Sequence, residues 1–227
     1  MTTIGVLGAG QAGTTFSRAA AAAGYEIVIA NTRGPHTLHG LVEQLGPRVR
    51  AATADEAAAA ADIAFLAFPY APDHVLPAKE LAGKIVIDNN NYMVWRDGHY
   101  PEVDSGGATI QELRQRQLPG STIVKAFSHI QFHGRVPLRV PSDAQPALIR
   151  LARPNGAPDR IALVVSSDSS EAVDFVTRLY DDLGFDTVDN SPLAESWRSS
   201  PGTPMWAASV DGQSQRQLAE SLRRAVR

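Results

Sequence analysis

The N-terminal stretch TIGVLGAGQAG, residues 3–13, joins an apolar run to the glycine pattern G-x-G-x-x-G. An alanine-rich stretch follows the pattern, and a second apolar run comes after it. In a strand, turn and helix of this kind, Gly8 permits the tight turn and Gly10 leaves room for a pyrophosphate, while Gly13 lets the helix approach the strand. Phosphates would then meet unpaired amides at the positive end of the helix. The stretch predicts a nucleotide-binding unit.

The second apolar run, Glu26–Ala30, ends in Asn31, Thr32 and Arg33. These residues follow the glycine pattern by about 20 positions, where the ribose of an adenosine would lie. An acidic residue there would bind the ribose 2′-hydroxyl of NAD, whereas a guanidinium donates paired hydrogen bonds to a 2′-phosphate. The segment therefore predicts NADP, with an ordinary solvent-exposed arginine as the alternative.

Charge and cysteine content exclude several classes of protein. The net charge is -3 and the isoelectric point is about 6.1, so we predict no nucleic-acid partner. The chain has no cysteine, which excludes disulfides, a thiolate nucleophile and a zinc–thiolate site. No apolar run is long enough to cross a membrane, and the apolar N-terminus lacks the basic start of a signal peptide. We expect no membrane partner and a soluble, cytoplasmic protein.

Apolar strand-like runs alternate with helical segments, as in a parallel sheet with crossover helices. The predicted strands cover residues 3–7, 26–30, 49–51, 63–68, 84–88, 121–126, 160–165 and 185–188. The predicted helices cover residues 12–23, 57–61, a short segment after Thr109, 168–183 and 213–226. Their starts are marked by the spacings Thr53-x-x-Glu56, Thr109-x-x-Glu112 and Asp168-x-x-Glu171. The pattern predicts an α/β fold with a Rossmann-type, doubly wound, mostly parallel sheet and a short C-terminal strand-helix-strand-helix extension.

The composition changes in one segment, where prolines are spread as in a long loop. These prolines are Pro137, Pro141, Pro146, Pro154 and Pro158. We therefore predict an NADP-binding Rossmann domain at residues 1–133, a proline-rich loop at 134–159, and a C-terminal α/β extension at 160–227 that completes the same compact unit. The oligomeric state stays open, a homodimer included.

Six short segments together carry a family resemblance. They are VLGAGQAG at 6–13, IANTR at 29–33, AFP at 67–69, VID at 86–88, VKAF at 124–127 and DLGFDTVDNSPL at 182–193. They occur in the order seen in NADPH-dependent F420 reductases, also called coenzyme F420-dependent NADP oxidoreductases, and the chain resembles that family over nearly its whole length. The family often has a histidine shortly after the position of Pro69, whereas here the histidine is displaced to His74.

The resemblance implies that NADP(H) is the cofactor and that a deazaflavin, coenzyme F420, lies against the nicotinamide near the loops of Asp88 and Phe127. The residues that it implies for NADP(H) are Gly8, Gly10, Gln11, Ala12, Thr32, Arg33 and Pro69. With the neighbouring motif and strand-end positions, the full predicted cofactor-binding set is Gly8, Gly10, Gln11, Ala12, Gly13, Asn31, Thr32, Arg33, Phe68, Pro69 and Asn89.

Hydride transfer needs stacking, orientation and exclusion of water more than a catalytic acid. Candidate residues around the second substrate therefore come from the carboxyl ends of the strands. They are Pro69, Asp88, Asn89, Asn90, Asn91, Tyr92, Ser128, His129 and His133, of which Asn91 and His129 are the predicted catalytic residues. The asparagine run is also explained by backbone turns alone. We predict no metal site, because His129 and His133 have no third ligand nearby in the sequence.

Three classes of function remain open. The first is an oxidoreductase that moves hydride between NADP(H) and a deazaflavin or flavin. The second is an NADPH-dependent imine or ketone reductase resembling pyrroline-5-carboxylate reductases, although the segment after residue 150 is too short for their helical domain. The third is a non-catalytic NADPH-sensing domain without space beside the nicotinamide.

Overall fold

A single twisted sheet organises the computed structural model, which describes residues 1–132, 145–207 and 211–227. Within these ranges the sheet has eight strands in the order β3-β2-β1-β4-β5-β6-β7-β8. Neighbouring strands are parallel except for β6 and β7, which are antiparallel. The strands are β1 Thr3–Leu7, β2 Glu26–Ala30, β3 Val49–Ala51, β4 Ile63–Leu66, β5 Ile85–Asp88, β6 Thr122–Lys125, β7 Ala162–Ser167 and β8 Asp186–Asp189. The predicted Rossmann-type, mostly parallel sheet is confirmed.

Helices cover both faces of this sheet. The α-helices are α1 Gln11–Ala22, α2 His39–Leu45, α3 Ala54–Ala60, α4 Ala78–Leu81, α5 Val94–Asp97, α6 Pro101–Asp104, α7 Ile110–Gln117, α8 Ala147–Arg150, α9 Ser170–Asp182, α10 Pro204–Ala207 and α11 Gln215–Arg223, with 3-10 helices at Pro35–Leu38 and Leu193–Ser199. Across the described part of the chain, no helix combines the length and the apolar character needed to span a bilayer.

Local capping chemistry explains where the helices begin. The capping boxes Thr53/Glu56 and Thr109/Glu112 form as predicted, each with reciprocal hydrogen bonds. The prediction that Asp168 caps α9 is wrong. Ser169 does so, accepting from the Ala172 N–H, while the Asp168 carboxylate accepts from the Leu193 N–H. The two residues are neighbouring cap formers, and the tertiary contact with Leu193 decides between them.

Two other segments differ from the sequence expectation. Residues 147–150, inside the predicted loop, form the single-turn helix α8, whose Leu148 is buried in the hydrophobic core. The last helix is shorter than residues 213–226, because Ser214 makes a capping box with Gln217 and the Gln213 amide bonds to the Met205 carbonyl. Residues 133–144, which include His133 and the start of the predicted proline-rich loop, lie outside the described residues.

An aromatic cluster fixes the carboxyl end of β6. Phe16 stacks on Phe65 with ring centroids 3.9 Å apart, and Phe127 contacts Tyr180 edge-on at 4.7 Å. Phe127 has a left-handed backbone, with φ of 57°, and its N–H donates to the Tyr180 hydroxyl, which donates to the Val164 carbonyl. Because Tyr180 lies on α9, the C-terminal extension and the N-terminal half share this core.

Candidate functional site: a cavity at the topological switch point

A cavity of about 470 Å³ opens where the strand order reverses, at the carboxyl ends of β1, β2 and β4. Ligands of open α/β sheets bind at this kind of crevice. The cavity is lined by Leu7, Gly8, Ala9, Gly10, Ala30, Asn31, Thr32, Arg33, Ala54, Ala67, Phe68, His74, Val75, Leu76 and Pro77. Its position follows from the topology. After β1 the chain crosses to β2 on one side, and after β4 it crosses to β5 on the other side, so the two connections diverge and leave a crevice between them.

The three motif glycines meet different surroundings. Gly8 has φ of +110°, and a Cβ there would lie 3.0 Å from the Ala67 carbonyl oxygen. A Cβ on Gly13 would lie only 1.8 Å from the Gly8 carbonyl oxygen. At Gly10, by contrast, a Cβ would meet no heavy atom of the described chain within 4 Å. The fold itself therefore requires glycine at Gly8 and Gly13, but it does not require glycine at Gly10.

The N-terminus of α1 is open toward this space. Gly10 is its N-cap residue, with an extended backbone, and no side chain among the described residues caps the helix. The first amides of an α-helix have no acceptor within the helix. In this 12-residue helix those amides belong to the motif itself, and they carry the partial positive charge of the helix end. This arrangement suits an anion such as a pyrophosphate.

The loop after β2 forms the second polar edge of the cavity. The Asn31 side chain is used to shape this loop, because its Oδ1 accepts from the Arg33 N–H at 3.0 Å and its Nδ2 donates to Thr37 Oγ1 at 2.9 Å. Thr32 and Arg33 are exposed beside it. The guanidinium of Arg33 is thus available to a ligand in a loop whose shape is already fixed, and the sequence at the end of β2 has no carboxylate to oppose a 2′-phosphate.

The predicted cofactor-binding residues divide into two groups. Six line the cavity: Gly8, Gly10, Asn31, Thr32, Arg33 and Phe68. The other five lie outside its lining, and they are Gln11, Ala12, Gly13, Pro69 and Asn89. Gln11, Ala12 and Gly13 still form the first turn of α1, whereas Pro69 and Asn89 follow β4 and β5 farther along the sheet edge.

One wall of the cavity was not predicted from the sequence. The loop after β4 contributes His74, Val75, Leu76 and Pro77. His74 packs edge-on against Phe68, with ring centroids 5.4 Å apart. The available signal was topological, since this loop follows the strand across the switch point from β1.

The carboxyl ends of β5 and β6 are closed, in contrast to the cavity. Asp88 and Arg114 are fully buried, with Arg114 Nε 3.5 Å from Asp88 Oδ2. Arg114 Nη1 donates to Gln117 Oε1 at 2.7 Å, and its guanidinium lies over the rings of Phe68 and Tyr70. Asp88 was predicted from the sequence as a strand-end residue, but Arg114 was not. Its position one turn after Ile110 and one turn before Leu118, both buried, was the available signal.

Lys125 pairs with Asp88 in the register of β5 and β6 and is buried. Its Nζ donates to the Ser196 carbonyl at 2.8 Å and to Ser200 Oγ at 3.0 Å. Burial lowers the pKa of Lys125 to about 7, although the neighbouring Asp88 carboxylate favours the charged form. The side chain therefore connects the sheet to the 3-10 helix at Leu193–Ser199 rather than to the cavity.

The two predicted catalytic residues lie in this closed region. His129 is buried, and its Nε2 accepts from the Val164 N–H at 3.0 Å. Burial, reinforced by the positive charge of Lys125, lowers the pKa of His129 to about 4, so the ring is neutral near pH 7. Asn91 is partly buried, and its Nδ2 donates to the Ser128 carbonyl, joining the loops after β5 and β6. Neither residue lines the described cavity, and their catalytic roles stay predictions.

Several buried polar atoms near these loops have no hydrogen-bond partner among the residues that the structure describes. They are Asn90 Nδ2, Asn91 Oδ1, Ser128 Oγ and Gln131 Oε1. Buried polar groups are normally paired, because each unpaired group costs about 1–3 kcal/mol. Of the remaining strand-end candidates, Tyr92 donates its hydroxyl proton to Asp104 Oδ1 at 2.6 Å, whereas His133 lies outside the described residues.

The N-terminal part of the chain is similar in sequence to known proteins. The family model described as NADP oxidoreductase, coenzyme F420-dependent, matches residues 3–92. The protein YjhV of Escherichia coli K12 is 42% identical over 53 residues, which are 23% of this chain and 39% of YjhV. The chain thus matches about two fifths of the length of this relative.

Solved structures extend the similarity to most of the chain. The protein SMa0349 of Sinorhizobium meliloti has a TM-score of 0.66 and 29% identity, covering 89% of this chain and 91% of its own. A protein described as a "putative f420 dependent nadp-reductase" from Arthrobacter sp. FB24 has a TM-score of 0.66 and 25% identity, covering 86% and 87%. An imine reductase of Myxococcus stipitatus in complex with NADP+ shares the fold, with a TM-score of 0.53, 20% identity and coverage of 86% and 56%.

The glycine pattern, the switch-point cavity and the family match all point to the same N-terminal part of the chain. The resemblance drawn from the sequence is confirmed over residues 3–92, which match the family model described as NADP oxidoreductase, coenzyme F420-dependent, and the fold of most of the chain is similar to that of the Arthrobacter protein.

Proposed function

We propose that the chain binds NADP(H) in the switch-point cavity and serves as an oxidoreductase that exchanges hydride with a deazaflavin or flavin. The observation that carries the proposal is Gly10. A Cβ there would meet no heavy atom of the described protein within 4 Å, so the absence of a side chain is explained by a ligand that must approach the backbone. The family match over residues 3–92 supports the choice of ligand.

The residues present fit NADP(H). The backbone of Gly8 and Gly10 and the free amides of α1 would hold the pyrophosphate. Thr32 and Arg33, both exposed at the cavity edge, would hold the 2′-phosphate, and no acidic residue ends β2 to repel it. When bound, NADPH supplies the hydride. The protein then has to orient the nicotinamide and exclude water, which needs no catalytic acid.

We place the second substrate beside the cavity, at the loops after β5 and β6. Asn91 Oδ1 and Ser128 Oγ support this placement, because they are buried between these loops without a partner in the described part of the chain, and a polar substrate edge that enters as the loops open would satisfy them. In this proposal Asn91 contacts the substrate. Residues 160–227 complete the same compact unit as residues 1–133, because Tyr180 contacts Phe127. The fixed pairing of His129 with Val164 gives that ring no part in the proposal.

The test begins with NADPH binding, measured by fluorescence titration of the purified protein, with NADH as the comparison. Anaerobic spectrophotometry then follows NADPH oxidation with coenzyme F420, flavin mononucleotide and small cyclic imines offered separately. We expect turnover with F420 or the flavin. Replacing Asn91 by Ala should slow turnover while leaving the NADPH dissociation constant nearly unchanged, because the residue lies outside the cavity lining.

Each other outcome contradicts a different part of the proposal. Turnover with imines alone would show that the protein is an imine reductase and that a deazaflavin is not the second substrate. NADPH binding with no turnover in any arm would favour a non-catalytic sensor. Equal affinity for NADPH and NADH would remove the argument from Arg33.

A further inference from the structure

The loop after β4, residues 68–77, forms one wall of the cavity, and its middle is exposed. Val75 at its tip is 98% exposed, and its chain is held locally by the His74 N–H bonded to the Ala71 carbonyl. Loops of this kind open at low free-energy cost unless other elements hold them. The position of this wall therefore depends on contacts from outside the loop.

Gln117, the last residue of α7, supplies such contacts. Its Nε2 donates to the Ala71 carbonyl at 3.0 Å and to the His74 carbonyl at 3.1 Å. One side-chain amide thus holds both ends of the turn Ala71–His74, and this turn leads into the cavity-lining residues 74–77.

Gln117 is itself fixed by the buried pair described above. Its Oε1 accepts from Arg114 Nη1 at 2.7 Å, which sets the orientation of the amide so that Nε2 points to the loop carbonyls. Arg114 is held by Asp88 and lies over Phe68 and Tyr70, with its Cζ 5.4 Å and 5.1 Å from the two ring centroids. Both rings belong to the beginning of the same loop. A continuous set of contacts therefore runs from the closed region to the cavity wall.

We propose that Gln117 is a positioning residue for the nucleotide, holding residues 71–77 in the conformation that the bound NADP(H) needs. The inference rests on the proposed function of the cavity. Because the wall is held before the ligand arrives, the ordering cost is removed from the binding step, which raises affinity. Gln117 is not one of the residues that line the cavity, and its side-chain amide reaches the lining through the His74 carbonyl, so its effect is transmitted through the loop backbone.

The test compares two matched variants, Gln117→Glu and Gln115→Glu. Gln115 lies on the same helix and makes the same kind of contacts elsewhere, since its Nε2 donates to the Leu118 and Ser121 carbonyls and its Oε1 accepts from the Ile123 N–H. Each substitution keeps the shape and the accepting oxygen, removes the donor, and adds one negative charge. Both residues are partly buried.

We expect Gln117→Glu to raise the NADPH dissociation constant about three- to tenfold, the loss typical of one or two hydrogen bonds. Hydrogen exchange measured by mass spectrometry should become faster in residues 70–77, and the thermal midpoint should stay close to that of the unmodified protein. Gln115→Glu should leave both the NADPH affinity and the exchange of residues 70–77 unchanged.

Unchanged exchange in residues 70–77 of Gln117→Glu would overturn the inference directly. So would faster exchange with an unchanged NADPH dissociation constant, or an equal loss of affinity in the two variants, and these results would leave the proposed function intact. If the unmodified protein fails to bind NADPH, the proposed function fails and the inference fails with it.

Discussion

Two arginines show how differently the two ends of this sheet edge are built. Arg33 follows β2 and is exposed at the rim of a 470 Å³ cavity, in a loop shaped by Asn31. Arg114 lies on α7 and is fully buried, paired with Asp88 and stacked over two aromatic rings. The guanidinium of Arg33 is available to a ligand, whereas the guanidinium of Arg114 bonds to Asp88 and Gln117 within the protein.

This difference separates binding from positioning. In the open region, around Gly8, Gly10 and Arg33, backbone amides and a guanidinium face space. In the closed region, around Asp88, Arg114, Lys125 and His129, the charged and polar groups hold loops and strands together. Substitutions in the open region should therefore change ligand affinity with little effect on stability. Substitutions in the closed region should mainly change stability, and they should change affinity only where their contacts reach the cavity wall through Gln117.

The largest effect on stability is expected from Arg114→Met. Removing the guanidinium leaves the buried Asp88 carboxylate with the Asn90 N–H and the neighbouring Lys125 but without its ion-pair partner, and breaking a buried ion pair costs about 3–5 kcal/mol. The exposed Arg33→Ala should change stability by no more than about 0.5 kcal/mol. Urea unfolding of the two variants measures both values. Similar losses in the two would contradict the division between open and closed regions.

A second prediction concerns pH and His129. The pKa of this residue is lowered to about 4 in the folded protein, first by burial and then by Lys125. Unfolding therefore takes up a proton between pH 4 and 6.5, so the stability due to neutral His129 is complete above pH 6.5 and is lost as the pH falls toward 4. Over this pH range the free energy of unfolding should fall by about 3 kcal/mol because of His129.

The control for this effect is His129→Gln, whose amide oxygen can accept from the Val164 N–H but does not titrate. Urea unfolding at pH 7.5 and pH 4.5 should show a loss of stability that is about 2 kcal/mol larger in the unmodified protein than in the variant. An equal loss in both would show that the ring is not held neutral in the folded state.

A smaller effect, confined to binding, is expected from Arg33→Ala. A charge-assisted hydrogen bond to a phosphate contributes about 1.5–3 kcal/mol, so the variant should lose about a ten- to hundredfold preference for NADPH over NADH. Arg178→Ala removes the same charge from the exposed face of α9 and should leave the preference unchanged. If the two variants behave alike, the effect is one of net charge and not of contact with the 2′-phosphate.

The sequence predicts the open region better than the closed one, and the reason is physical. Gly8, Gly10 and Arg33 act through local backbone geometry at fixed spacings, so a pattern along the chain is enough to locate them. Arg114 acquires its role from Asp88 and Phe68, which are far away in the sequence. The sequence locates His129 at the end of β6, but its pairing with the Val164 N–H, across the antiparallel junction of β6 and β7, is not visible along the chain.

The same distinction explains the smaller errors. Ser169 and Asp168 are equally good caps by local chemistry, and the contact between Asp168 and Leu193 decides which one caps α9. The wall at residues 74–77 has no motif, and its place beside the glycines follows from the strand order alone.

The most direct test of the account is NADPH binding to Gly10→Val, with Gly40→Val as the control. At both glycines a Cβ would meet open space within the described chain, and neither has a positive φ. Gly10 is extended, a conformation that valine adopts readily, so the stability of this variant should fall by about 1 kcal/mol at most. We predict that Gly10→Val folds and loses NADPH binding, while Gly40→Val keeps the affinity of the unmodified protein. A folded Gly10→Val that still binds NADPH with unchanged affinity would show that the phosphates lie elsewhere.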